Sequence, residues 1–235
     1  MKDRHHAAIK SALSQFNTQY LYDNCILFGG GTRIALELDE FRKSVDIDFI
    51  CPNKASYRAV RTQVTNSSFG KLVDTPLTLH RDIRADRDAV RSIIDVDGIT
   101  IKLEFVSFDD YQLKPQPDVL WGVPVIDRDS CFITKILANA DRYRSEPKKD
   151  IVDLLMMFHY WGEPSEAAWD EVDAHYGPIA EENLINALQG VVDVPDYLHK
   201  TIKVCEMDAD SEKKLISLAQ HWLQHLCQSN ASPAP

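Results

Sequence analysis

The amino-acid sequence predicts an α+β fold in which a lobe built on a mixed β-sheet precedes an all-helical lobe. Short apolar runs with a period of two residues occur up to about residue 106, whereas apolar residues from about residue 129 onward follow helical spacing. Turn residues such as Gly162-Glu163-Pro164 divide that later stretch. The predicted organisation is therefore an α/β domain at 1–127, a helical domain at 128–228 and a disordered tail at 229–235.

The predicted elements follow the chain in that order. Asp97-Gly98 is typical of a two-residue hairpin turn, so the apolar runs on either side of it are predicted to be strands. The predicted strands are 25–28, 45–51, 73–80, 92–96 and 99–106. The predicted helices are 6–20, 32–38, 54–66, 129–144, 149–161, 165–175, 180–190, 196–206 and 210–228.

A glycine-rich turn follows the first predicted strand, in the segment Phe28-Gly29-Gly30-Gly31-Thr32. Glycines let the backbone adopt positive φ and approach a ligand closely. Thr32 is predicted to be the N-cap of the helix that follows, whose free N–H groups and positive dipole end favour an anion. This segment predicts a phosphate-binding turn.

Two carboxylates lie on one face of the next strand. Side chains alternate along a strand, so Asp46 and Asp48 share a face, while their apolar neighbours face the core. Glu104 and Lys102 lie on the polar face of a strand predicted to be a neighbour of this one. Carboxylates that lie close together repel each other, and a divalent cation such as Mg²⁺ is a natural counter-ion. Asp46, Asp48 and Glu104 are therefore the predicted metal ligands.

These residues carry a family resemblance. Gly-Gly-Thr followed by Arg42-x-Ser44-x-Asp46-x-Asp48 resembles the nucleotidyltransferase superfamily that includes DNA polymerase β, and most of all its AbiEii/AbiGii-type toxins. A second block, with Lys135 in one helix and 148–154 opening the next, is similar to later motifs of that branch. Lys149 replaces the arginine usual there, and Glu104 stands where the family more often has aspartate. The resemblance covers roughly residues 25–155.

The resemblance implies a polymerase β-like catalytic lobe that binds a nucleoside triphosphate (NTP) with two Mg²⁺ ions. Asp46, Asp48 and Glu104 would hold the metals, with Glu104 favouring deprotonation of the acceptor hydroxyl. Lys135 would act beside them as a catalytic residue and would place a point charge on the triphosphate. The residues implied in nucleotide binding are Gly30, Gly31, Thr32, Ser44, Lys102, Lys135 and Asp150.

The acceptor is less defined than the donor. Some related toxins modify tRNA, while other superfamily members modify proteins or small molecules, and a degenerate fold that binds nucleotide or a partner without catalysis is a third alternative. The resemblance also raises a cognate antitoxin as a partner. Asp-x-Asp on a strand, taken alone, is more often a solvated edge than a metal site, and Lys135 could be a solvated helix residue; the surrounding motifs favour the functional interpretation.

Arg81, Arg84, Arg87 and Arg91 recur at spacings that would align them on one helical face. Such a stripe could bind RNA phosphates. Aspartates at 82, 86 and 88 interleave with them, so a salt-bridged solvent face is the favoured alternative. His5 and His6 are predicted to be surface residues at a helix start.

Composition narrows the class of protein. The chain has 235 residues, 44% hydrophobic content and five cysteines without zinc-ligand pairs, which predicts reduced thiols. A net charge of −10 argues against broad sequence-independent binding to nucleic acid, although not against a local basic cleft. The sequence predicts neither a signal peptide nor a membrane span, so the cytoplasm is the predicted compartment and no membrane partner is expected.

Overall fold

Five strands form one mixed sheet in the computed structural model, which describes residues 2–108 and 110–229. Their order across the sheet is β1-β2-β5-β4-β3, with β2 and β5 parallel and the other neighbouring pairs antiparallel. The strands are β1 (Leu27–Gly29), β2 (Asp46–Cys51), β3 (Thr78–Ala85), β4 (Ala89–Val96) and β5 (Ile99–Ser107). Together with the helices, this sheet confirms the predicted α+β fold.

Ten α-helices lie in the described part of the chain. The first four are α1 (Lys2–Leu13), α2 (Thr18–Asp23), α3 (Gly30–Glu37) and α4 (Lys54–Arg61), with a short 3₁₀ turn at Gly70–Leu72. The later six are α5 (Arg128–Arg142), α6 (Lys149–Trp161), α7 (Glu166–Tyr176), α8 (Ile179–Asp193), α9 (His199–Val204) and α10 (Ser211–Ser229). The predicted tail falls, from residue 230 on, outside the described residues.

The chain divides into two compact units. Unit 1 comprises residues 1–37 and 43–131, and unit 2 comprises residues 38–42 and 132–235. The short segment 38–42 therefore belongs with the later helices, although it lies between α3 and β2 in the sequence. None of the helices that the structure describes combines the length and apolar character needed to span a bilayer.

An aromatic cluster forms the core of unit 1 beneath the sheet. The rings of Phe49 and Phe105, on the paired strands β2 and β5, stack with centroids 5.0 Å apart. Phe16, from the segment after α1, packs 4.7 Å from Phe49. Helices α1 and α4 cover this apolar face. Because successive side chains of a strand point to opposite faces of the sheet, the polar residues of β2 and β5 lie on the other face.

Unit 2 has its own core of helices. Phe158 of α6 and Trp222 of α10 are buried and stack with parallel rings 4.7 Å apart. Helix α8 packs against α10 and contributes buried residues such as Leu184 and Leu188. The change from strands to successive helices agrees with the sequence prediction.

The helical face considered for the arginine-rich segment is not formed. Residues 78–96 form the β3–β4 hairpin, in which Arg81 and Arg84 lie on β3 and Arg91 lies on β4. Asp86 closes the turn, because its carboxylate accepts hydrogen bonds from the backbone N–H groups of Asp88 and Ala89. β3 therefore begins and ends later than predicted, and β4 begins earlier.

The single helix predicted at 6–20 is two helices in the structure, α1 and α2. Asn17 is the N-cap of a separate helix, α2, since its side chain accepts a hydrogen bond from the N–H of Tyr20. Helical structure is therefore interrupted between Leu13 and Thr18. The predicted helix at 54–66 ends earlier, at Arg61.

Candidate active site

The glycine turn joins β1 directly to α3. Of its three glycines only Gly30 has a positive φ, of 69°. The carboxylate of Asp48 packs against Gly30 so closely that a Cβ atom at this position would lie 2.5 Å from Asp48 Oδ2. Gly30 is therefore required both for the backbone conformation and for the space that Asp48 occupies.

Thr32 is not the N-cap of α3, because the helix already begins at Gly30. Its hydroxyl instead donates a 2.7 Å hydrogen bond to Ser44 Oγ. The backbone N–H of Ser44 donates to Nε2 of His6, which is buried rather than on the surface as predicted. No sequence signal indicated this contact, since His6 lies 38 residues from Ser44. Thr32, Ser44 and His6 thus fix the segment that leads into β2.

The register of the sheet brings the predicted carboxylates onto neighbouring positions. β2 pairs with β5 so that Asp48 is opposite Glu104 and Asp46 is opposite Lys102. On the other side of β2, Asp48 is opposite Gly29. The predictions that the two aspartates share a face and that Glu104 lies on the neighbouring strand are confirmed.

Glu104 forms ion pairs with two basic side chains. Its Oε1 accepts a 2.8 Å bond from Arg91 Nε, and its Oε2 lies 2.5 Å from Lys102 Nζ. Partial burial lowers the pKa of Lys102, but the hydrogen bond and charge of Glu104, with the charges of Asp46 and Asp48, outweigh it and raise that pKa. Lys102 therefore remains protonated and adds positive charge beside the three carboxylates.

The donor set suits a hard divalent cation at Asp46 and Asp48. Both are half-buried carboxylates on one strand face, next to the turn where Gly30 leaves room for an approaching ligand. Within residues 2–108 and 110–229, however, no three His, Cys, Asp or Glu side chains converge into a metal-binding group. The oxygens of Glu104 are turned to Arg91 and Lys102, so its role as third ligand stays a prediction.

The predicted residues Lys135 and Asp150 lie together in unit 2. Lys135 Nζ is 2.9 Å from Asp150 Oδ1 and 2.6 Å from Asp153 Oδ2. Burial lowers the pKa of Lys135, but the charges of Asp150 and Asp153 outweigh it and raise that pKa. Arg142 also binds Asp150, through a bidentate contact at 2.6 and 3.1 Å. The nucleotide-binding role of Lys135 and Asp150 stays a prediction.

Arg42 completes this buried network and was missed as a partner of Asp153. Its guanidinium holds the Asp153 carboxylate bidentately at 2.6 and 2.9 Å, and both side chains are at most 2% exposed. The desolvation cost of a buried ion is offset only by such full pairing. The signal available in the sequence was that Arg42 and Asp153 each belong to one of the two motif blocks.

Comparison with known proteins agrees with this architecture. The model of the family described as nucleotidyl transferase AbiEii toxin, type IV toxin–antitoxin system, matches residues 11–222. The chain therefore belongs to this family of nucleotidyltransferase toxins. No curated protein matches the chain.

Three solved structures are similar to this chain at low sequence identity, and the first of them, with a TM-score above 0.5, shows the same fold. A protein of Helicobacter pylori that is described as a nucleotidyltransferase has 16% identity and a TM-score of 0.53, with 97% of each chain covered. JHP933 of the same organism has 16% identity and a TM-score of 0.49, covering 97% of this chain and 93% of its own. MenT4, a nucleotidyltransferase toxin of Mycobacterium tuberculosis, has 14% identity and a TM-score of 0.40, with 96% and 88% covered.

Replacing Gly30 with alanine is expected to destabilise unit 1 more than the same change at Gly98. Both glycines have positive φ, which costs an alanine about 1–2 kcal/mol. Only at Gly30 would the new methyl group also collide with Asp48, whereas nothing lies within 4 Å at Gly98. Urea unfolding of Gly30→Ala and Gly98→Ala measures the difference. Equal losses of unfolding free energy would show that the Asp48 carboxylate does not pack against the turn.

Asp150 is expected to make stability depend on acid pH. Burial raises its pKa, but the charge of Lys135 and the hydrogen bond and charge of Arg142 outweigh it and hold that pKa well below its usual value. A carboxylate with a lowered pKa contributes stability above its unfolded pKa of about 3.9, and the contribution is lost as pH falls towards the folded pKa. Asp150→Asn should therefore cost about 2 kcal/mol at pH 7 and distinctly less at pH 3.

Urea unfolding at both pH values measures this, with exposed Asp170→Asn of α7 as the matched control. The control should differ little from wild type at either pH. A deficit for Asp150→Asn that is the same at pH 7 and pH 3 would contradict a lowered pKa.

Proposed function

We propose that this AbiEii-family chain transfers a nucleoside monophosphate from an NTP to an acceptor RNA, with tRNA as the physiological acceptor, and releases pyrophosphate. The observation that carries this proposal is the placement of Asp46 and Asp48 on the polar sheet face, with Asp48 against the Gly30 turn. This brings acidic groups next to a backbone turn that a phosphate chain can approach. The same arrangement supports a nucleotidyltransferase of the EC 2.7.7 type.

Mg²⁺ is the proposed cofactor, held by Asp46 and Asp48. When bound, it would neutralise charge on the reacting phosphate and polarise it for attack. Glu104 is the proposed third ligand of a two-metal site, and it would become available when Arg91 and Lys102 turn to an anionic ligand. Glu104 would then accept the proton of the acceptor hydroxyl, as a carboxylate beside the reacting group can.

The nucleotide is proposed to lie on the glycine turn. The first N–H groups of α3, at Gly30, Gly31 and Thr32, have no carbonyl partner within the helix and can donate to phosphate oxygens. Ser44 positions Thr32 through their hydroxyl hydrogen bond. Lys102 offers a point charge near the phosphates. Lys135 and Asp150 remain proposed nucleotide-site residues, with Asp150 orienting the Lys135 ammonium.

The toxin–antitoxin family also supports a cellular role. We propose that the chain acts in the cytoplasm as the toxin of a two-gene system and that a cognate antitoxin counteracts it.

Asp46→Asn and Asp48→Asn are each expected to lower nucleotide transfer at least about 100-fold, because each removes a charged metal ligand while preserving shape. The measurement is transfer of label from each α-³²P NTP, with Mg²⁺, to tRNA, to total protein and to no added acceptor. Asp118→Asn is the matched control, since Asp118 is an exposed aspartate of the same unit.

The control variant should transfer label as the wild type does. Label on protein instead of tRNA would overturn the proposed acceptor. Full activity in the Asp46 and Asp48 variants would overturn the proposed metal site.

A further inference from the structure

A basic groove lies on unit 1, next to the carboxylates. It has a volume of about 470 Å³ and lies on the face of the sheet formed by β3, β4 and β5. Four basic side chains line it together with Asp82, so the groove carries a net positive charge. The four are Arg81, Arg84, Arg91 and Lys102.

Two irregularities in β3 put both of its arginines into this groove. In a regular strand, residues three positions apart face opposite sides. Here the register is Arg81 with Ile93 and Arg84 with Arg91, so β3 has one more residue than β4 between these pairs, and a second irregularity precedes Arg81. A β-bulge of this kind re-aims a side chain. Arg84 therefore lines the same groove as Arg81.

Charge changes sign along one row of the sheet. The register places Asp48 beside Glu104, Glu104 beside Arg91 and Arg91 beside Arg84. Three strand spacings separate β2 from β3, a span of about 14 Å. A single NTP held at the glycine turn has no need of cations at that distance, whereas a chain-like anion lying along the row would reach them.

The two arginines of β3 are available for such a ligand. Both side chains are exposed, and neither forms a salt bridge with any residue in the part of the chain that the structure describes. By contrast, Arg91 is held by Asp86 and Glu104. Arg81 and Arg84 thus have no salt-bridge partner among the described residues that a bound anion would have to displace.

Positive charge continues past the hairpin turn. A second groove of about 530 Å³ in the same unit is lined by four basic residues of α4 and of the turn, together with Asp88, so it also carries a net positive charge. The four basic residues are Lys54, Arg58, Arg61 and Arg87. A small-molecule acceptor requires no surface of this extent, and a polyanion does.

The formal charges of the two units show that the basic residues of these grooves are a local feature of the surface. Unit 2 contains ten Lys and Arg against nineteen Asp and Glu, a formal charge of −9, while unit 1 contains sixteen against seventeen, a charge of −1. An acidic chain repels polyanions, so any that bind must do so at a local basic surface.

From this geometry we infer that Arg81 and Arg84 bind backbone phosphates of single-stranded acceptor RNA, whose end then lies at Asp46 and Asp48. The inference rests on the proposed function for the position of that end. It assigns the arginines of β3 to acceptor binding and not to the chemical step. RNA is recognised here through its phosphates, so the contact carries no base sequence information.

The test compares Arg81→Gln/Arg84→Gln with Lys200→Gln/Lys203→Gln, which removes the same charge from exposed lysines of α9 in unit 2. Binding of a short fluorescent single-stranded RNA, and of tRNA, is followed by anisotropy over a range of salt concentrations. The arginine variant should bind about tenfold more weakly, and its slope of log affinity against log salt should shrink by about 1.4. The lysine variant should match wild type in both.

Equal behaviour of the two double variants would overturn the inference. So would a poly-glutamate competitor that displaces RNA at equal charge concentration, because the groove would then select an acidic polypeptide. Circular dichroism confirms that each variant is folded.

The binding assay needs no catalysis, so it separates the two proposals. RNA binding that depends on Arg81 and Arg84, without transfer of label from any NTP, would overturn the proposed function and leave the groove assignment standing. Transfer to RNA that is unaffected by the arginine variant would do the opposite.

Discussion

The parallel register of β2 against β5 is the constraint on which the polar face of the sheet depends. It is set from the opposite face, where Phe49 and Phe105 stack at 5.0 Å over a buried core. A slip of one residue would move these rings towards solvent, and burying a phenylalanine is worth about 1.5–3 kcal/mol. The same register fixes Asp48 beside Glu104, so apolar packing determines where the carboxylates meet.

Glu104 connects the acidic part of that face to the basic part. Its two oxygens bind Arg91 and Lys102, and Arg91 is also held at 2.5 Å by Asp86 from the hairpin turn. These side chains are partly exposed, so each ion pair is worth about 1 kcal/mol or less. Pairs of this strength can exchange partners when a phosphate-bearing ligand arrives. The same residues can therefore compensate Glu104 in the free protein and bind anions in a complex.

In unit 2 the charges that must be compensated are buried. Asp153 is fully buried, and it is compensated by Arg42 on one side and Lys135 on the other. Removing one partner from such a buried network costs about 3–5 kcal/mol, since a charge is left without compensation in a medium of low polarity. This coupling ties the segment 38–42 to helix α6 within unit 2. It also means that loss of activity in an Arg42 or Asp153 variant must be judged against loss of stability.

The sequence was most informative where local periodicity decides the structure. Alternation alone placed Asp46 and Asp48 on one face, and the Asp97-Gly98 turn signal correctly preceded the strand that carries Glu104. It failed where a local pattern fits two structures or where partners are distant. Arginines spaced by three and four residues fit a helix as well as a bulged hairpin, and the structure has the hairpin, with Asp86 capping its turn.

Contacts between residues that are far apart in the sequence produce no periodic pattern in it. Arg42 and Asp153 are 111 residues apart, and His6 and Ser44 are 38 apart. The bulges that re-aim Arg84 arise from the pairing of β3 with β4, not from the composition of β3 itself. Candidate residues for binding the donor nucleotide could thus be proposed from local sequence, because a glycine turn and an Asp-x-Asp strand are each formed by a short stretch of chain. The arginines of the inferred RNA groove were also noticed in the sequence, but their arrangement could not be predicted, because the groove exists only once three strands are aligned.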